Sequence, residues 1–252
     1  MKLSIAIISH NEEHNLARTL DSVVPIADEI VIVDSYSTDK TLEIAQRYNA
    51  RIFQKEWNGF SEQKNALLEK CNGEWILFLD CDEVLSKELI ESIKKILINS
   101  EYDGYSINRK TFYIDKIMKY AWQPDLNLRL VKSSANPKWK GGEIHEFLTI
   151  EGSSGIIAGE IIHYSYKDMK QHFEKTISYA KISAESYYKK GKKFSFLNIL
   201  LNPIIAFIRL YFINKGIFDG VYGFIAAMSS MIGTFLKYAF LWELEKNNSK
   251  QL

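Results

Sequence analysis

The first hundred residues alternate between short apolar runs and stretches with helical spacing. That alternation limits the folds open to the chain more than any other feature. LSIAIIS (3–9), EIVIVD (29–34), ARIFQ (50–54) and WILFLD (75–80) are β-rich runs. Between them, Leu16, Leu20 and Val23 recur at helical spacing, then Leu42, Ile44, Ala45 and Tyr48, then the segment SEQKNALLEKC (61–71). Ser86 is placed to cap a further helix through Ile98. Apolar strands separated by helices predict a parallel sheet covered on both faces. Such sheets take ligands beyond the carboxyl ends of their strands, a rule that draws Ser9–Glu13, Asp34 and Asp80–Glu83 to one edge.

Beyond residue 103 the pattern changes. YSINRK, LNLRLVK and IAGEIIHY read as strands separated by loops containing Trp, Gly and Pro. A helix is expected from Asp168 to about Lys190, with Met169, Phe173, Ile177, Ala180, Ala184 and Tyr187 on its apolar face. The tail, 195–242, is far more apolar. A chain of 252 residues accommodates one large domain with an appendage, and the expected division is 1–165 and 166–252. The net charge of +1 provides no global field for nucleic acid, and none is expected as a partner. Two cysteines, Cys71 and Cys81, make no disulfide framework and suit a reducing compartment. The N-terminal MKLSIAIISHNEE has too short an apolar run for a signal peptide and reads as a first strand, so a cytoplasmic chain is expected.

WILFLDCDEVL (75–85) ends an apolar run in Asp80, Asp82 and Glu83, with no Lys or Arg inside it. Crowded carboxylates repel one another unless something positive joins them. One reading is a divalent cation carried by a substrate diphosphate, since Mg2+ and Mn2+ take one or two protein carboxylates plus phosphate and water oxygens. A second is a phosphate-accepting nucleophile. A third is an acidic first turn for the helix after Ser86. Asp34 ends the second apolar run, and Asn11, Glu12 and Glu13 follow the first. Lys64, on the helix before the fourth strand, has the reach to touch a phosphate.

Taken in order, IAIISHNEEHNLARTLDSV, IVIVDSYSTDKTLEIA, FSEQKNALLEKCNGEWILFLDCDE and GGEIHEFL resemble a glycosyltransferase family 2 enzyme with the GT-A fold, over roughly residues 3 to 148. HYSYKDMKQHFEKTISYAKISAE and YFINKGIFDGVYGF resemble a bacterial subgroup that includes lipopolysaccharide-core β-glucosyltransferases. The resemblance implies a Rossmann-like α/β sheet flanked by helices, mostly parallel, with a C-terminal helical apolar extension. It implies a nucleotide-sugar site in which Ser9, His10, Asn11 and Glu13 hold base and ribose. Asp34 would accept hydrogen bonds from uracil or ribose, and Lys64 would lie on the diphosphate. Asp80 would touch ribose or the metal's water shell, and Asp82 would bind Mg2+ or Mn2+. Cys81 is expected to point away from such a hard ion.

In HEF (145–147), His145 is a candidate metal ligand and Glu146 the candidate general base, because an acceptor hydroxyl attacks better as it loses its proton. Asp125 is the rival base and Glu83 a third candidate. Arg129 is free either to aid the diphosphate or to pair with an acid. Trp122 and Trp139 suit a sugar face or a buried anchor equally. The reaction implied is an inverting transfer of a hexose, with uridine diphosphate-glucose as donor and a lipid-linked saccharide such as the lipopolysaccharide inner core as acceptor. Alternatives are a capsule or exopolysaccharide intermediate, a peptide acceptor, or a non-catalytic nucleotide-sugar-binding subunit.

Phe196–Ile213 contains Asn198, Asn202, Pro203 and Arg209, whereas Gly220–Leu236 is uncharged but short and contains Ser229, Ser230 and Thr234. With Lys189, Lys190, Lys192 and Lys193 close by, these segments are expected to lie in the surface of the bacterial inner membrane, on its cytoplasmic side. A spanning pair is the second reading, and a buried helical subdomain or dimer contact the third.

Overall fold

In a computed structural model of the chain, which describes residues 2–141 and 146–249, the expected alternation is present. The first elements are β1 (Leu3–Ser9), α1 (Leu16–Val23), β2 (Glu29–Asp34), α2 (Thr41–Arg47), β3 (Arg51–Gln54), α3 (Phe60–Leu68) and β4 (Trp75–Leu79). Next come β5 (Glu83–Leu85), α4 (Lys87–Ile98), β6 (Gly104–Tyr113), β7 (Lys116–Ile117), β8 (Leu126–Lys132), β9 (Lys138–Lys140), β10 (Phe147–Thr149) and β11 (Ser154–Tyr166). The chain closes with α5 (Met169–Lys189), α6 (Phe196–Ile208), a π-helical turn over Arg209–Ile213, a 3-10 turn over Gly216–Asp219, and α7 (Val221–Ser249).

Two compact units result. The first comprises the chain to Lys110 with Asp125–His163, and the second Thr111–Pro124 with the chain from Tyr164. The excursion 111–124 groups with the helical part.

The main sheet runs β3-β2-β1-β4-β8-β6-β11-β5. It is mixed: β3, β2, β1 and β4 are parallel, while β8 is antiparallel to β4, β6 to β8, and β5 to β11. Side chains of a strand alternate between faces, and here both faces are covered. Leu3, Ile5 and Ile7 of β1, Ile30 and Ile32 of β2, and Trp75, Leu77 and Leu79 of β4 pack with α1 and α4. Their neighbours Ala6, Val31, Val33, Ile76 and Phe78 pack on the other face with Leu67 of α3, Trp139 and Leu148. In register, Ser9 stands beside Asp34, so the strand ends converge on one edge.

Ser86 caps α4 as its sequence position suggests, its hydroxyl accepting the Leu89 N–H at 3.2 Å. The same hydroxyl accepts the Glu160 N–H at 3.0 Å, which ties β11 to the start of α4. The approach is close enough that Gly159, at φ +95°, leaves no room for a side chain: a Cβ would stand 2.3 Å from the Leu89 nitrogen.

In the second unit α7 packs against α5 and α6. Tyr113, Met118 and Ala121 from the 111–124 excursion share a core with Leu210, Ala226 and Ala227. The buried Asp219 carboxylate accepts N–H bonds from Lys119, Tyr120 and Ala121 at 3.0, 2.9 and 2.8 Å, which holds this excursion in place. Phe196–Ile213 and Val221–Asn247 are each long and apolar enough to cross a membrane, yet only 11% of the former is buried. Leu197, Leu201, Ile204, Ile205, Ile208 and Phe212 leave it an exposed apolar face.

Candidate active site

The carboxyl ends of β1 and β4 border a cavity of about 460 Å3. Ser9, His10 and Glu12 line it from one strand end, and Asp80, Cys81 and Asp82 from the other. Trp57 and Phe60, from the loop into α3, form a further wall and pack edge to face at 4.7 Å. Both rings are substantially exposed and so available to a flat ligand. These two aromatics were not anticipated from the sequence, although a Trp and a Phe around Gly59 in a polar loop were a usable signal.

Asn11, Glu13 and Asp34 do not line this cavity. Each secures a loop beside it. The Asn11 side-chain oxygen accepts the Thr38 N–H at 2.8 Å, and a Glu13 carboxylate oxygen accepts the Lys40 N–H at 3.1 Å. Asp34 is fully buried. Its carboxylate accepts from the hydroxyls of Ser9 and Ser37, at 2.8 and 2.5 Å, and from the Ser37 N–H. His10 Nδ1 lies 2.8 Å from the Ser35 carbonyl oxygen.

A second cavity of about 440 Å3 opens on the other side of Asp80, lined by Lys64, Arg109, Arg129, Trp139 and Glu146. Asp80 therefore borders both cavities. Lys64 Nζ sits 3.3 Å from Asp80 and 3.1 Å from Glu146, and 4.4 Å from the centre of the Trp139 ring. Arg129 reaches Asp80 and the fully buried Glu83, each at 3.2 Å. Arg109 reaches Glu83 at 3.4 Å and Asp125 at 2.8 Å. The positive charge missing from WILFLDCDEVL is thus partly supplied by α3, β6 and β8. Burial opposes ionisation of Asp80, but Lys64, Arg129, Arg109 and His163 outweigh it and hold its carboxyl well below the usual range. Burial likewise opposes charge on Arg109, and Glu83, Asp125 and Asp80 overcome it, holding that guanidinium firmly protonated.

The acids now separate by environment. Glu83 is locked between two guanidinium groups and also accepts the Asp80 N–H at 2.9 Å. Asp125 is tied to Arg109 and to the Asn127 side chain. Asp82 keeps about a fifth of its side chain exposed, and its one ionic partner among the described residues is His163, at 3.2 Å. His163 was missed from the sequence. It lies 81 positions away, and only the β11–β5 pairing, which sets His163 opposite Glu83, brings it here.

Among the described residues no group of three or more His, Cys, Asp or Glu side chains forms a metal cage. Asp82, with Asp80 beside it, offers the one or two hard oxygen donors that Mg2+ or Mn2+ takes from protein when substrate phosphates and water complete its shell. Cys81 Sγ donates to the Ile8 carbonyl at 3.2 Å, and burial pushes the thiol well above its ordinary range. The predicted ligand His145 lies outside the described residues. Trp139 is a buried anchor, edge to face with Phe78 at 5.2 Å, and Trp122 packs in the core of the second unit.

Comparison with known proteins extends the geometry. The glycosyl transferase family 2 profile matches residues 4–148. The lipopolysaccharide core biosynthesis glycosyltransferase LpsC of Rhizobium meliloti is 32% identical over 96% of this chain and 93% of its own length. An uncharacterised glycosyltransferase of Rickettsia typhi is 31% identical over 96% of this chain and 87% of its own. The crystal structure of S. aureus TarS 1–349 in complex with UDP-GlcNAc superposes with a TM-score of 0.50 at 14% identity, covering 100% of this chain and 92% of that one. That likeness is one of fold, and the fold is GT-A. With the profile spanning both cavities and the relatives matching nearly end to end, the chain belongs to glycosyltransferase family 2.

Proposed function

We propose that this chain moves a hexose, glucose from its uridine diphosphate ester, onto a lipid-linked saccharide of the lipopolysaccharide core, with inversion at the anomeric carbon. The observation that carries the reading is the pair of cavities sharing Asp80, with Lys64 bridging Asp80 and Glu146. The acceptor class rests on the near full-length similarity to LpsC. In this reading the donor occupies the cavity walled by Trp57 and Phe60. Ser9 and His10 meet base and ribose, while Asn11, Glu13 and Asp34 fix the loops that present them. Asp82 and Asp80 would hold Mg2+ or Mn2+, and a bound cation supplies charge neutralisation for the departing diphosphate. Lys64, in the second cavity and 3.3 Å from Asp80, adds a fixed positive charge at the boundary between the two.

The acceptor enters the cavity on the far side of Asp80. There Glu146 takes the proton of the attacking hydroxyl. Lys64 Nζ, 3.1 Å from this carboxylate, holds it at the cavity wall before the acceptor arrives. Of the three candidate acids Glu146 is the one that lines this cavity, whereas Asp125 is held by Arg109 and Glu83 by Arg109 and Arg129. Replacing Glu146 by Gln preserves shape and removes basicity. Transfer is expected to fall by roughly 100-fold or more, with donor affinity retained. A wild-type transfer rate in this variant would move the role to Asp125. The exposed face of α6, next to Lys189, Lys190, Lys192 and Lys193, suits attachment to the anionic cytoplasmic surface of the membrane, where a lipid-linked acceptor resides.

A further inference from the structure

The helical unit holds a cavity that the proposed reaction does not use. It measures about 310 Å3, lies between α5 and α7, and has Trp122 and Tyr166 on its wall. Its polarity is unexpected for a seam between apolar helices. Thr176 and Ser183, two turns apart, line it from α5, and Ser230, Thr234 and Lys237 line it from α7 at the three-to-four-residue spacing that puts side chains on one helix face. Ser230 and Thr234 are among the residues that interrupt the apolar segment Gly220–Leu236 in the sequence.

Ordinary helix packing explains only part of this. Thr176 is satisfied: its hydroxyl lies 2.8 Å from that of Ser229 and 2.9 Å from the His172 carbonyl. The hydroxyls of Ser183, Ser230 and Thr234 have no hydrogen-bond partner among the described residues. Half-buried Lys237 makes no ion pair among them and rests over the rings of Tyr187 and Tyr238, each at 4.6 Å. These hydroxyls are half-buried and line the cavity, so they are open to a ligand there. Three open hydroxyls, one cation and an aromatic wall therefore describe a ligand: hydroxyls both donate and accept, an ammonium holds an anionic oxygen, and an aromatic face covers an apolar ring face. The volume lies at the low end of the roughly 300–1,000 Å3 typical of small-molecule sites, which suits one ring.

We propose that this cavity binds a single sugar ring carrying a phosphate group. The same chemistry is presented by a soluble sugar phosphate and by the phosphorylated sugar of a glycolipid. The inference does not depend on the donor site, because every lining residue lies in the second unit.

The test uses the full chain with glucose 6-phosphate, glucose and inorganic phosphate as probes, followed by ligand-detected NMR titration. A parallel arm uses phosphatidylcholine vesicles with and without a phosphorylated glycolipid. Glucose 6-phosphate is expected to bind saturably, about ten-fold or more tighter than glucose or phosphate. Ser230→Leu, which fills the cavity, and Lys237→Met, which removes the cation, should each weaken it by about ten-fold or more. Asp82→Ala should leave it unchanged. Retention by glycolipid vesicles alone, with the same sensitivity to the two variants, supports the site and assigns the lipid-borne source. If Ser230→Leu does not fold, as judged by its thermal transition, Lys237→Met decides. The proposal is overturned by no saturable binding in either arm, or by binding that survives both cavity variants. It is equally overturned by binding that is lost only in Asp82→Ala, which would place the sugar phosphate in the donor cavity.

Discussion

Asp80 and Asp82 are two positions apart and do different things. Asp80 is surrounded by Lys64, Arg129 and Arg109, so it serves as the shared wall of two cavities with its charge already balanced. Asp82, whose one ionic partner among the described residues is His163, has oxygen donors to spare. The sequence made the cluster visible, because acids at the end of an apolar run need an explanation, and it made Lys64 and Glu146 visible as candidates. It offered Arg129 as a partner for an acid, which the structure bears out, but it did not reveal Arg109 or His163, whose roles depend on strand pairings between distant segments. His172 is a further residue whose environment is set by tertiary packing. It is buried against Tyr113, whose hydroxyl lies 2.6 Å from Nδ1, and burial lowers its pKa from 6.5 to about 4. Below pH 6.5 the unfolded chain gains a proton that the folded chain refuses until about pH 4. Stability should therefore fall as pH drops across that window and level off beneath it. Denaturation midpoints against pH, for wild type and His172→Gln, check this: the acid-side loss between those limits should shrink in the variant, and an identical profile would remove His172 from the explanation.

At the scale of elements, the parallel half of the sheet was readable because each strand is apolar on both faces and each helix carries one apolar stripe. The antiparallel half was readable as strands but not as to direction, since orientation is decided by pairing partners and not by local pattern. The start of α2 is set by side chains before it: the helix begins after Lys40, with Asp39 accepting the Thr41 N–H at 2.9 Å and the Ser37 hydroxyl committed to Asp34. The tail helices also separate in character. α7 is packed from both sides by α5 and α6, whereas α6 presents Leu201 and Ile205 outward. Sedimentation with anionic phospholipid vesicles is expected for the wild type. Leu201→Asp with Ile205→Asp should cut it about ten-fold or more, because two apolar anchors are lost, without disturbing a fold to which these exposed side chains contribute little. Equal sedimentation of both proteins would argue against α6 as the membrane face.

For the molecule as a whole, the sequence divides into a nucleotide-sugar part and a helical tail, and the structure redraws that division by one excursion. Residues 111–124 comprise the end of β6, the short β7 that pairs back on it, and the loop into β8. They are held by the Asp219 carboxylate and by the core around Tyr113 and Leu210. No local pattern could show this, because Lys119 and Asp219 are 100 positions apart. The catalytic proposal rests entirely on the first unit, where the strand ends, the two cavities and Glu146 are found. Its central claim is a donor site at Asp82 filled by a nucleotide sugar together with a divalent cation. Calorimetric titration of uridine diphosphate-glucose, with and without Mn2+, into wild type and Asp82→Ala tests it most directly. Saturable binding that requires Mn2+ and disappears in Asp82→Ala is the expected result; binding of equal strength without Mn2+, or in the variant, would contradict it.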